Sequence, residues 1–271
     1  MIKPFLKWAG GKRQLINVIR EHLPEKYQNY YEPFVGGGAL LFHLQPKKAI
    51  VGDINAELIN CYQVLKNSHS ELIKDLSKHV NDKDYFYQVR SWDREESYVY
   101  RNLIEKASRI IFLNKTCFNG LYRVNLNGQF NTPFGRYKNP FIVDIETLND
   151  VSEYLNKSSL EILNLDFQDC LKGATENDFV YLDPPYDVIS NTANFTAYNQ
   201  KGFNKSEHKR LKLTVDRLTA IGCKVLVSNA CTEFITELYR DYQQIEVKAK
   251  RAINCKGNKR GYLTEILIKN Y

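Results

Sequence analysis

Apolar positions along the chain follow two rhythms, and the switch between them marks out the architecture. From Lys12 to Leu23, the residues Leu15, Ile16, Ile19 and Leu23 share one helical face, and Pro24 stops the run. YYEPFV (30–35) then reads as a strand, GGG as a turn, the residues through Leu44 as a helix, and KAIVGD (48–53) as a second strand. This is a β–α–β unit. Helical patterns fill Asn55 to Asn114, and the Gly- and Asn-rich stretch Asn119 to Pro140 predicts a hairpin. Alternation of strand and helix resumes at LEILNLD (160–166). It continues through DFVYLD (178–183), a helix from Ser206 to Ala220, CKVLVSN (223–229) and a helix near Cys231 to Tyr239. QQIEVKAK (243–250) and YLTEILIKN (262–270) close the chain as strands. The simplest fold is a doubly wound α/β domain formed by residues 1–56 and 160–271, interrupted by a mostly helical insertion, 57–159, that carries the hairpin.

Composition narrows the function class. The chain has 271 residues, 43% of them hydrophobic and 25% charged, ordinary values for a globular protein. No segment is apolar enough to span a membrane and MIKPFLKWAGGK lacks the apolar run of a signal peptide, so a cytoplasmic location is expected. Cys61, Cys117, Cys170, Cys223, Cys231 and Cys255 form no C-x-x-C pair and have no histidine at ligand spacing, which predicts neither disulfides nor a metal. The net charge of +7 is concentrated. Asn114 to Pro140 contains no acid but has Lys115, Arg123, Arg136 and Lys138, interleaved with Phe118, Tyr122, Phe130, Phe134 and Tyr137. A solvated basic face is the plain alternative, but interleaved aromatics and asparagines favour a nucleic-acid surface. For a second acid-free run, Val247 to Thr264, neither reading is favoured.

Three motifs carry candidate chemistry. In DFVYLDPPYDV a buried strand runs into Asp183, Pro184, Pro185 and Tyr186. Proline has no N–H and holds its predecessor extended, so the corner offers the Asp183 carboxylate and the Asp183 and Pro184 carbonyls, acceptors with no competing donor. Such a corner suits a ligand that brings donors, such as an exocyclic amine. FVGGGAL follows a strand and opens a helix, as phosphate- and nucleotide-binding turns do, although Leu41 replaces the third glycine of G-x-G-x-x-G. Asp53 ends the next strand at close to the interval expected of an acid that holds ribose hydroxyls; as a plain alternative it caps the following helix. Together the two favour an adenosine-containing ligand. FLKWAGGK lacks the preceding strand and the spacing of a P-loop, which argues against a nucleotide triphosphatase; Lys12 is otherwise the first exposed residue of its helix. No histidine has a nucleophile partner, and Ser228 is not in a nucleophile elbow.

FLKWAGGK, EPFVGGGAL, VGDIN, FNGLYRVNLNGQFNTPFGRYKNP, YLDPPY and TANFTAY, in this order over nearly the whole chain, closely resemble the Dam-type, DpnM-like DNA adenine-N6 methyltransferases. The resemblance implies a Rossmann-like sheet with S-adenosylmethionine over its carboxyl edge and the insertion as a target-recognition domain. Trp8, Lys12, Phe34, Gly36, Asp53, Asp166 and Asp183 would bind that cofactor, with Asp53 on the ribose hydroxyls and Asp166 near the adenine. Asp183, Pro184 and Tyr186 would be catalytic. The hairpin would enter double-stranded DNA with Phe118 wedged beside a flipped base. Leu121, Arg123 and Pro133 would read base edges, and Lys7 would touch the outer guanine. Asn119, Arg136, Tyr137 and Lys138 complete the expected DNA face. In relatives with these residues the site is GATC, and a cognate restriction endonuclease is a partner consistent with the family, without a stable complex.

The chemistry of the acceptor supports these roles independently. Adenine hides its amine in the base stack and must be flipped out, at a cost of a few kcal/mol. The lone pair of the amine is delocalised into the ring, so acceptors that take its two hydrogens draw the nitrogen toward sp³ geometry. N4-cytosine methylation, a non-catalytic DNA-binding protein on the same fold, and a Rossmann dehydrogenase are the competing expectations.

Overall fold

The computed structural model describes residues 2–10, 12, 15–187, 203–250 and 262–271. Among the described residues seven strands form one sheet: β1 (Tyr30–Glu32), β2 (Lys48–Gly52), β3 (Ser159–Leu163), β4 (Phe179–Leu182), β5 (Lys224–Ala230), β6 (Gln243–Lys250) and β7 (Tyr262–Lys269). Their order across the sheet is β3-β2-β1-β4-β5-β7-β6. The first five are parallel, and β7 lies antiparallel between β5 and β6. From β1 the chain winds outward through β2 to β3, then returns to place β4 on β1's other side. The reversal falls between β1 and β4, and crevices at such points, beyond the carboxyl ends of the strands, are where open α/β sheets bind ligands. The glycine turn follows β1 and the Asp183–Tyr186 corner follows β4, so the topology alone brings two of the three motifs together.

The ten α-helices among the described residues are α1 (Ile16–Glu21), α2 (Ala39–Leu44), α3 (Ala56–Asn67), α4 (His69–Leu76), α5 (Lys83–Ser91), α6 (Leu103–Thr116), α7 (Ile145–Lys157), α8 (Phe167–Cys170), α9 (Lys205–Ala220) and α10 (Glu233–Leu238). Alternate residues of the central strands enter different cores, as strand geometry requires. Tyr30, Phe179 and Tyr181 face one apolar cluster, and Tyr31, Val180 and Leu182 face the other. The first cluster also contains Leu58, Leu72, Phe86, Phe112 and Leu155 from the segment 57–159, so this segment is built onto one face of the sheet through a continuous interior. Polar caps set its helices: Asn102 and Glu105 form a reciprocal capping box on α6, and the Asp82 side chain accepts from Tyr85 N on α5.

Two elements differ from the sequence pattern. The first helix is shorter than Lys12–Leu23, because Lys12 lies in a turn and points its side chain into the interior; it is 5% exposed, not the exposed start of a helix. The expected hairpin has no continuous ladder. Cys117 bridges Phe134 and Val124 bridges Phe130, while Asn125 and Gln129 close the tip through a backbone bond of 2.8 Å and a side-chain bond of 2.9 Å. The Asn125 side chain also accepts from Asn127 N and Gln129 N, local bonds that compete with a ladder at the tip. Among the described residues, no helix is long and apolar enough to cross a membrane and no group of acidic, His and Cys side chains is arranged to hold a metal. Cys61, Cys117, Cys170, Cys223 and Cys231 are free thiols. Cys255, TANFTAY and most of the second acid-free run lie outside the described residues.

Candidate active site

At the end of β4 the Asp183 carboxylate is bound by the Lys12 ammonium at 2.8 Å, and Lys12 also donates to the Gly10 carbonyl at 3.0 Å. The same ammonium stands 4.2 Å from the centre of the Tyr186 ring, a cation–π contact. The corner therefore has a donor after all, supplied from the N-terminal motif, which proline chemistry alone does not reveal. Burial pushes the Asp183 carboxyl up to about 6; Lys12 works against that rise, and the neighbouring charge of Glu265 adds to it.

Two further acids complete the site. Glu265, on β7 opposite Ala230, accepts a hydrogen bond from the Tyr186 hydroxyl. Glu32, the last residue of β1, is buried and accepts from the Tyr30 hydroxyl at 2.8 Å. Burial pushes its carboxyl up to about 8, partly offset by that bond and reinforced by the charge of Asp183. Sequence reasoning missed both. The available signal was an acid inside an otherwise apolar strand, YYEPFV and TEILI.

The glycine turn forms the neighbouring wall. Gly36 has φ of 48°, and a Cβ there would meet the Trp8 ring at 2.9 Å, so only glycine lets the turn and the indole close on each other. Asp53 accepts from Gly36 N at 3.2 Å and Asn55 N at 2.9 Å, and burial pushes its carboxyl up to about 6. The side chain that caps α3 is Asn55, which accepts from Leu58 N at 3.0 Å, so capping does not account for Asp53. Trp8, Gly36 and Asp53 thus meet at one place. Phe34 stacks on Phe167 with centroids 5.4 Å apart, beside Asp166 at the start of α8. Asp166 is already engaged: it caps α8 at Gln168 N and binds Arg210 at 2.8 Å, and that hydrogen bond holds its carboxyl below the usual range.

The basic arm extends from this site. Trp8 stacks on Tyr122 of the arm at 4.8 Å. Phe118 is 52% exposed, and Lys7, Pro133, Arg136, Tyr137 and Lys138 are also exposed. Asn119, in the left-handed region with φ of 58°, is half-buried, as are Leu121 and Arg123. Arg123 is held on the arm by Asn131, with Nε 2.6 Å from its Oδ1 and Nη2 3.2 Å from its carbonyl.

The model of one protein family, D12 class N6 adenine-specific DNA methyltransferase, matches residues 8–253, a span that includes the corner, the glycine turn and the arm. The chain belongs to that family. It is 44% identical to the Type II methyltransferase M1.LlaDCHI of Lactococcus lactis subsp. cremoris, over all of this chain and 96% of the relative. It is 42% identical to the Type II methyltransferase M.MjaIII of Methanocaldococcus jannaschii, over all of this chain and 99% of that one. A DNA adenine methylase of Salmonella typhi is 33% identical over 98% of this chain and 94% of its own length. Membership sets aside the cytosine, dehydrogenase and non-catalytic alternatives. In an adenine-specific DNA methyltransferase the acceptor is an amine with two hydrogens.

Proposed function

We propose that this methyltransferase acts on GATC in double-stranded DNA, flipping adenine into the crevice between the glycine turn and the Asp183–Tyr186 corner. The observation that carries the reading is the Asp183 carboxylate, held by the Lys12 ammonium at the end of β4, the strand beside the one that leads into the glycine turn where Trp8, Gly36 and Asp53 meet. The Pro184 carbonyl would be the second acceptor. Trp8, Gly36 and Asp53 suit S-adenosylmethionine: a glycine turn closed against the Trp8 indole, and the desolvated Asp53 carboxylate as an acceptor for sugar hydroxyls, with Phe34, Asp166 and Lys12 as further contacts of the cofactor on this reading. The cofactor would supply an electrophilic methyl on a sulfonium. Asp183 and Pro184 accept hydrogen bonds from the two hydrogens of the amine and orient its lone pair for in-line transfer, and positioning supplies much of the rate. Lys12 releases Asp183 as the amine arrives. The methylated nitrogen then gives one proton to the Asp183 carboxylate, whose carboxyl, pushed up to about 6, is close to the neutral range in which an acceptor works best. Residues 57–159 act as the recognition unit on this reading, with residues 1–56 and 160–271 as the catalytic one.

The test is the methylation state of plasmid DNA from cells expressing the protein, scored with nucleases that cut only methylated or only unmethylated GATC. Protection at another sequence overturns the site assignment. Tyr186 gives the flipped base a stacking face, worth about 1–3 kcal/mol. Tyr186→Ala is therefore expected to lose about tenfold or more in single-turnover rate, and Tyr186→Phe less, since the ring survives and only the bond to Glu265 goes. Equal loss in both would move the role from ring to hydroxyl.

Arg123 and Lys138 separate reading from anchoring. An arginine bidentate to guanine contributes about 1–3 kcal/mol of discrimination, whereas a phosphate contact weakens all sequences alike. Arg123→Ala is expected to raise methylation at sites altered in one guanine relative to GATC. Lys138→Ala is expected to slow every site and flatten the salt dependence. Rates on GATC and on single-base-altered duplexes at two salt concentrations decide it: a slower Arg123→Ala enzyme with unchanged ranking makes the residue an anchor.

A further inference from the structure

One buried side chain fastens the N-terminal motif to the arm. Asn114, near the end of α6, is 2% exposed. Its Oδ1 accepts from the Lys7 backbone N–H at 2.9 Å, and its Nδ2 donates to the Lys7 carbonyl at 2.8 Å and the Gly120 carbonyl at 2.9 Å. The side-chain amide thus satisfies both polar groups of one segment and one of another, 107 and 6 residues away. Gly120 closes the joint from the other side. It has φ of 64°, and a Cβ on it would lie 2.8 Å from Lys7 Cδ and 3.1 Å from Lys7 Cβ. The Trp8–Tyr122 stack runs alongside, so the consecutive residues Lys7 and Trp8 meet Gly120 and Tyr122 of the arm. Lys7 is exposed immediately before Trp8, and Phe118 and Arg123 flank Gly120.

We propose that Asn114 is a positioning residue that locks Lys7 and the Phe118–Arg123 segment into a single rigid reader. The discriminations exerted by Lys7 and by Arg123, at different base pairs of the site, are then expected to fail together when the lock is opened. Asn114 touches no base. It acts by fixing the distance between two side chains that approach the DNA from different parts of the sequence. This rests on the assignment of Lys7 and Arg123 to bases made above.

The experiment uses the full chain and duplexes in which one strand is premethylated, so that a single adenine accepts and the orientation is defined. Single-turnover rates are compared on GATC and on duplexes altered at the first or at the fourth base pair. Lys7→Ala and Arg123→Ala are each expected to relax one of these positions. Asn114→Ala is expected to relax both, by about tenfold each, the size of a lost base contact, with thermal midpoint and cofactor-free fold as controls. Should Asn114→Ala be too unstable to assay, Gly120→Ala opens the same joint by a clash with Lys7 and has the same expected outcome. A folded variant that keeps the wild-type ranking, or relaxes only one position, overturns the lock. If Lys7→Ala and Arg123→Ala themselves leave the ranking unchanged, the base assignments have failed and the lock falls with them. If those two relax and the Asn114 and Gly120 variants do not, only the lock is wrong.

Discussion

Asp183→Ala is expected to lose methyl transfer by a factor on the order of 10² to 10⁴, the usual contribution of a positioned proton acceptor. The carboxylate is the one charged acceptor of the corner, and without it the amine stays planar with its lone pair in the ring. Alanine also leaves the buried Lys12 ammonium without its partner, and a buried charge stripped of its partner destabilises the fold by about 3–5 kcal/mol. Asp183→Asn avoids that confusion. It keeps the shape and one acceptor oxygen for Lys12, but it removes the negative charge and places an NH₂ where an acceptor is needed. Single-turnover transfer from a labelled methyl donor, with circular dichroism on the same samples, separates the two effects. Near-normal turnover in Asp183→Asn would remove the carboxylate from the mechanism.

The elements were legible where local rules decide them. Apolar runs marked all seven strands, and Pro24, the glycine turn and the DPPY corner marked their boundaries, because helix and strand periods and proline's missing donor act over a few residues. Strand order was not local. That β4 returns beside β1, which puts Asp183 next to the glycine turn, depends on pairing between residues far apart in the chain, and periodicity is silent on it. Site residues divide in the same way. Asp183, Gly36 and Asp53 stand in motifs whose spacing has a mechanical reason. Glu265 and Glu32 are single acids in apolar strands, and only the pairing of β7 with β5, and of β1 with β4, reveals that both face Asp183. Lys12 shows the limit most clearly. The helical rhythm after it made an exposed first turn the natural reading, whereas a carboxylate more than 170 positions away draws the side chain inward. The arm keeps the antiparallel course of a hairpin at two bridges but not a continuous ladder, since the Asn125 side chain accepts the Gln129 N–H at its tip.

Lys12→Met is expected to move the acid limb of the pH–rate profile upward. Three influences act on the Asp183 carboxyl: burial raises it, Glu265 raises it, and Lys12 lowers it, leaving it at about 6. Tyr181, Tyr186 and Glu32 are the other titratable groups facing it, and none supplies positive charge. Methionine keeps the apolar stem of the lysine and deletes the one lowering influence, so the carboxyl takes up its proton at a higher pH. A protonated Asp183 cannot accept from the amine. The wild-type single-turnover rate is therefore expected to fall below about pH 6, and the variant's to fall earlier, losing about tenfold for each unit of upward displacement at pH values below both. Stability supplies an independent readout with a definite sign. Ionised Asp183 is left desolvated without a partner in the variant, a penalty of about 1.4 kcal/mol per unit that is absent while the carboxyl is protonated and grows as pH rises. The gap in thermal midpoint between wild type and Lys12→Met should be small at pH 5 and wide at pH 8. Rates are measured with methyl donor and DNA saturating, because Lys12 also borders the proposed cofactor pocket. Superimposable pH profiles for the two proteins, with a constant gap in thermal midpoint, would show that Lys12 does not govern the charge of Asp183.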